Sequence, residues 1–145
     1  MSVSRTNQVL YFASLSLEQL QTAQGQTHAQ IQEQTLFHLY SGFVSFCWEL
    51  VDQYNLPPFD ELSELLARTE LPAELYELSL LSKDEESWLS DLLSLYKRML
   101  KQGLNQRVVD AMLITSGSDY QSLFANLLKR MEKTIQRMRE HYQEH

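Results

Sequence analysis

LFHLYSGFVSFCWELVDQY, residues Leu36 to Tyr54, is apolar around most of a helical circumference. Leu36, Tyr40, Phe43, Cys47, Leu50 and Tyr54 form one helical row, Phe37, Val44 and Val51 form a second at heptad spacing, and Leu39 and Phe46 widen the arc. Only a narrow stripe of His38, Ser41, Gly42, Ser45, Glu49 and Asp52 is polar or small. A helix that offers so little to water needs neighbours on at least three sides. The stretch therefore predicts the centre of an all-α, antiparallel four-helix bundle, with short helices inserted between the second and third long helices. One domain over residues 1–145 is expected.

Outward from this centre, capping boxes mark helix starts. In each, a Ser or Thr is followed three residues later by Gln or Glu, so that two orphaned backbone N–H groups can be satisfied reciprocally. Thr27 with Gln30, Ser82 with Glu85 and Ser118 with Gln121 fit the pattern. The expected long helices run from about Ser4 to Gln24, Thr27 to Asn55, Ser82 to Gln102, and Asp119 towards the end of the sequence. Gly25, the LPP at 56–58 and Gly103 are placed to end the first three. Asp60 and Pro72 predict two short helices between Phe59 and Leu81. Leu95, Tyr96, Met99 and Leu100 join Trp88, Leu89 and Leu92 in the expected core. On the last helix Tyr120, Leu123, Phe124, Leu127, Met131, Ile135, Met138 and Tyr142 share one face. Residues 104–117 fit one helical turn or an extended crossover equally well.

Composition narrows the function. A chain of this length buries roughly 68–70% of its unfolded surface, enough for one sizeable core. Hydrophobic residues make up 43%, with only 4 Gly and 3 Pro, which argues against disorder and for long regular elements. A formal net charge of −7 opposes approach to a polyanion, so nucleic acid is not the expected partner. The lone Cys47 cannot form an internal disulfide and lies in the most apolar segment, which suits a reducing compartment. Polar residues interrupt the apolar positions after MSVSRTNQ, and Glu49 and Asp52 break the central run. The sequence thus reads as having neither signal peptide nor membrane span, and a cytoplasmic location is expected.

No motif carries recognisable chemistry. His141 and His145 stand four apart, a possible metal pair, but at a fraying helix end. No Glu is followed three residues later by His, as inward-facing di-iron sites require. His38, Ser45 and Glu49 lie near one meridian, yet Ser41, Gly42 and Ser45 are more simply explained by close approach of another helix. Arg5, Thr6, Asn7 and Gln8 could meet an anion at a helix start or merely cap it. No catalytic, cofactor or metal residue is assigned and no cofactor is expected. The candidate interaction surface is the basic, amphipathic last helix, through Lys129, Arg130, Lys133, Arg137, Met138 and Tyr142. The acidic region 60–91 is one candidate counterpart, and homodimerisation or another protein partner is the expected use.

RTNQVLYFASLSLE (5–18), LFHLYSGFVSFCWEL (36–50) and SWLSDLLSLYKRM (87–99) resemble a family of small helical gammaproteobacterial (Pseudomonas-like) proteins classed as a domain of unknown function. That resemblance implies a bacterial cytoplasmic helical protein and transfers no activity. The pairing of the first helix with FHLYSGFVSF also looks like the opening of HEPN-type bundles, many of them ribonucleases or toxin–antitoxin components. Their signature is an Arg followed a few residues later by His, which Arg139 and His145 match in spacing, although Arg139 lacks the usual neighbouring amide. The expected role is a non-enzymatic protein-interaction or scaffolding module, with a HEPN-like RNA-processing protein as the alternative.

Overall fold

A computed structural model describes residues 3–104 and 120–143, and among them there are six helices and no strand. They are α1 (Val3–Leu20), α2 (Gly25–Gln53), α3 (Leu62–Leu66), α4 (Ala73–Lys83), α5 (Trp88–Gln102) and α6 (Tyr120–Gln143). α2 contacts α1, α4, α5 and α6. Its row Leu36, Leu39, Phe43, Phe46, Cys47, Leu50 and Val51 is buried, as its periodicity requires of a helix surrounded by others. The expected row of α6 is buried at every position from Tyr120 to Tyr142, with Leu128 added.

Helix ends depart from the capping-box reading. α2 begins at Gly25, which takes a positive φ of 61°, and its cap residue Gln24 makes no side-chain bond. Thr27 therefore lies inside the first turn, and Gly25 opens a helix where it was expected to close one. At the other end Asn55 adopts a φ of 51°, the Leu56 N–H donates to the Val51 carbonyl and the Asn55 N–H donates to that of Asp52. This double closure stops α2 before Pro57 is reached. Ser82 lies in the last turn of α4, where its hydroxyl donates to the Ser79 carbonyl at 2.7 Å. Ser87 caps α5 instead, accepting from the Ser90 N–H at 3.0 Å. A hydroxyl inside a helix can satisfy itself on the preceding turn, so the local pattern could not tell these two serines apart. Glu61 and Pro72 occupy the cap positions of α3 and α4. Ser118 and residues 105–117 lie outside the described residues.

Apart from the exposed Asp52, the polar stripe of α2 is buried or half-buried. A Cβ on Gly42 would stand 2.7 Å from Leu10 Cδ2, so α1 packs directly on that glycine. Beside it the Thr6 and Ser45 hydroxyls lie 3.1 Å apart across the α1–α2 seam. Phe37, placed in the core by its spacing, is 48% exposed. Phe12, on α1, is also exposed, and the two rings flank the His38 imidazole with centroids 5.7 Å from it.

Candidate functional site

Two features of the described residues stand out from the ordinary core: an open apolar groove between α3 and α5, and a pair of buried carboxylates beneath the end of α6.

The groove follows from α5 carrying more apolar residues than one face can bury. Trp88, Leu89, Leu92 and Leu95 enter the core, while Leu93, Tyr96 and Leu100, spaced i, i+3 and i+7, line a second strip facing α3. Leu62 and Leu66 of α3 form the opposite wall, and the groove has a volume of about 670 Å³. The floor is set by Tyr40 and Tyr96, stacked with ring centroids 3.7 Å apart and planes within 1°. Asp60 and Glu61 stand on the α3 rim, and Lys83 and Lys97 on the α4–α5 rim. Among the described residues none of these four charges is in an ion pair.

The α3 wall is braced from behind. Arg68 donates to the Pro57 and Pro58 carbonyls at 2.8 and 3.0 Å and makes a two-pronged contact with Glu64 at 2.7 and 2.9 Å. The Ser79 hydroxyl, buried on α4, donates to the Leu66 carbonyl at 2.8 Å. A helix of five residues could not hold itself in water. These side chains fix its ends, so the groove keeps two walls.

Glu49 of α2 is 4% exposed. Arg139 of α6 donates to both its oxygens at 2.8 Å, and the Tyr142 hydroxyl donates to Oε2. Arg139 also donates to Asn7 Oδ1 at 2.9 Å and lies 6.0 Å from the centroid of the Phe46 ring. Burial works against the carboxylate charge, but the hydrogen bonds from Arg139 and Tyr142, the Arg139 charge and a bond from Thr6 outweigh it, and Glu49 is held below the usual carboxylate range. The Tyr142 hydroxyl is pushed upward, by burial and then by its bond to Glu49.

Glu74, at the start of α4, is 3% exposed. Its Oε2 accepts from the Tyr54 hydroxyl at 2.6 Å and lies 3.1 Å from His141 Nδ1. Oε1 has no hydrogen bond of ordinary geometry. Burial again opposes the charge, and is overcome by bonds from Tyr54 and His141, the nearby Glu74 backbone N–H and the His141 charge, so this carboxyl too is lowered. Tyr54 is pushed up to about 12, by burial and by Glu74.

The residues of the expected interaction surface fall in two settings. Met138 is 1% exposed and Tyr142 is buried against Glu49, so both belong to the core. As far as Tyr142 the apolar face of α6 is covered, with α1, α2 and α5 packed on the helix and Glu74 and Glu77 of α4 meeting His141 and Arg137. Arg137 is paired with Glu77 of α4 at 2.5 Å, so this one acid of the 60–91 region is met within the chain. Lys129, Arg130 and Lys133 are exposed, and so is Arg137 despite its pairing. Arg139, which spacing matched to a ribonuclease signature, is engaged by Glu49, and His145 lies outside the described residues. Of the His38, Ser45 and Glu49 meridian, His38 sits between the Phe12 and Phe37 rings, whereas Ser45 and Glu49 both meet Thr6 of α1.

Cys47 is fully buried and its thiol is pushed well up by desolvation, so it is not a nucleophile. No group of three His, Cys, Asp or Glu side chains could hold a metal ion among the described residues. No described helix is long and apolar enough to cross a membrane. The groove was missed by sequence reasoning, which buried Tyr96, Met99 and Leu100 together. The available signal was the width of the apolar arc on α5, which runs through positions 92, 93, 95, 96, 99 and 100 and exceeds one face.

No curated protein and no solved structure matches the chain. A family of unknown function, DUF6586, matches residues 1–145, and the chain belongs to that family.

Proposed function

We propose that the four long helices form one antiparallel bundle, a single domain, whose role is to dock another protein in the α3–α5 groove, without catalysis. The observation that carries this reading is the groove itself. It combines apolar walls on two helices, a floor of stacked tyrosines and Leu100 left 69% exposed beside Lys97. Exposed apolar surface with a polar rim costs solubility unless something covers it, and such surfaces mark interaction sites. The buried charge pairs at α6 support the scaffold part of the reading. They tie α6 to α2 and α4 and leave the groove open to solvent.

A photo-crosslinking residue installed in place of Leu100 tests the reading in native cells, against the same residue in place of Glu18 on the exposed side of α1. Discrete protein adducts formed from position 100 and absent from position 18 are expected. Equal or no adducts from the two positions would overturn docking at the groove.

A further inference from the structure

The groove has two walls and carries opposite charges on its two rims, and these properties restrict what can lie in it. Leu93, Tyr96 and Leu100 form a ridge whose ends are seven residues apart, about 10 Å at helical rise, which corresponds to two turns of a helix laid alongside. Leu62 and Leu66 on the facing wall are four apart, so both walls repeat at helical spacing. Ridges of this kind accept the apolar stripe of another helix between them.

The rims add a second restriction. Asp60 and Glu61 line the α3 side, Lys83 and Lys97 the opposite side, all four are exposed, and none is paired among the described residues. A small ligand with a single charge would use one rim and leave the other as a repulsive or idle edge. A uniformly acidic or uniformly basic segment would gain on one side what it lost on the other. Resting on the docking reading above, we infer that the groove takes an amphipathic helix of about two turns from a partner protein, with a basic edge against Asp60 and Glu61 and an acidic edge against Lys83 and Lys97. Because the two edges differ, the charges also set the direction in which that helix lies.

Designed peptides of about 16 residues, long enough to hold helical structure, test both parts by fluorescence anisotropy. All carry leucines at i, i+3, i+4 and i+7. One has a lysine edge and a glutamate edge, one has glutamate on both edges, and one has lysine on both. The mixed-edge peptide is expected to bind the wild-type chain about fivefold or more tightly than either uniform peptide at low salt, the preference shrinking as salt is raised. In the Lys83→Glu, Lys97→Glu double variant the preference should pass to the all-lysine peptide. Leu100→Asp, at an exposed position, should weaken every peptide by about tenfold or more. Binding that is equal for all three peptides, yet lost in Leu100→Asp, would overturn the charged-edge inference and leave the docking reading intact. Binding unaffected by Leu100→Asp would overturn the docking reading itself. Sedimentation that shows a dimer dissolved by Leu100→Asp would make the occupant a second copy and overturn the assignment to a partner protein.

Discussion

The seam between α2 and α6 and the groove between α3 and α5 are built from similar residues and end in opposite states. At the seam, Glu49 and Arg139 are both largely withdrawn from water and satisfy one another with two hydrogen bonds, Tyr142 and Asn7 completing the set. At the groove, Asp60, Glu61, Lys83 and Lys97 are close to the same cavity and remain without ion pairs among the described residues. A buried charge must find a partner within the chain because its desolvation is otherwise uncompensated. An exposed charge is under no such compulsion. The contrast separates structure from surface: charges spent on the fold are paired, and those left on the rim are available to something else.

The sharpest way to break the seam is Arg139→Ala. It strands Glu49 in an apolar surrounding and is expected to cost about 3–5 kcal/mol by urea unfolding. A loss below about 1 kcal/mol would show that the seam behaves like the exposed rim. Neutralising the buried carboxylates with acid should act in the same sense but more weakly. Glu49 and Glu74 both have folded values below the ordinary 4.5, so the stability they contribute is full above that ordinary value and disappears as pH falls through the lowered folded values. Unfolding midpoints measured from pH 7 to pH 3 should fall, and Glu49→Gln should flatten the descent. A variant with an unchanged slope would mean that Glu49 is not held charged by Arg139.

Close approach at the α1–α2 seam gives a smaller effect. Gly42→Ala must displace the Leu10 side chain, whose Cδ2 would lie 2.7 Å from the new Cβ, at a cost of about 1–2 kcal/mol. Thermal unfolding checks it, and a neutral result would mean that the seam is loose. Smallest of all should be Leu100→Asp in the isolated chain, within about 0.5 kcal/mol of wild type, because the side chain is already exposed. A large loss there would turn the groove into core and remove its candidacy as a docking surface.

The core row of α2 and the buried face of α6 were legible because helical periodicity writes burial into spacing along one segment. Phe37 and Leu100 were misplaced by the same rule. Each lies on the edge of an apolar arc, where spacing is compatible with either side, and the position of the neighbouring helix decides. Ser82 and Ser87 are ambiguous for a related reason. Either serine can cap a helix, and the length of α4 selects Ser87.

By itself the sequence determined that this chain is helical, that residues 36–54 lie among several neighbours and that the last helix buries one long face, because backbone propensity and apolar period are local properties. Only the tertiary structure decided that Glu49 meets Arg139 across 90 residues, that Met138 and Tyr142 are covered, and that α3 and α5 stand apart over an open groove. Those outcomes depend on which helix faces which. The choice is set by the packing of every element at once, and no single stretch of sequence contains it.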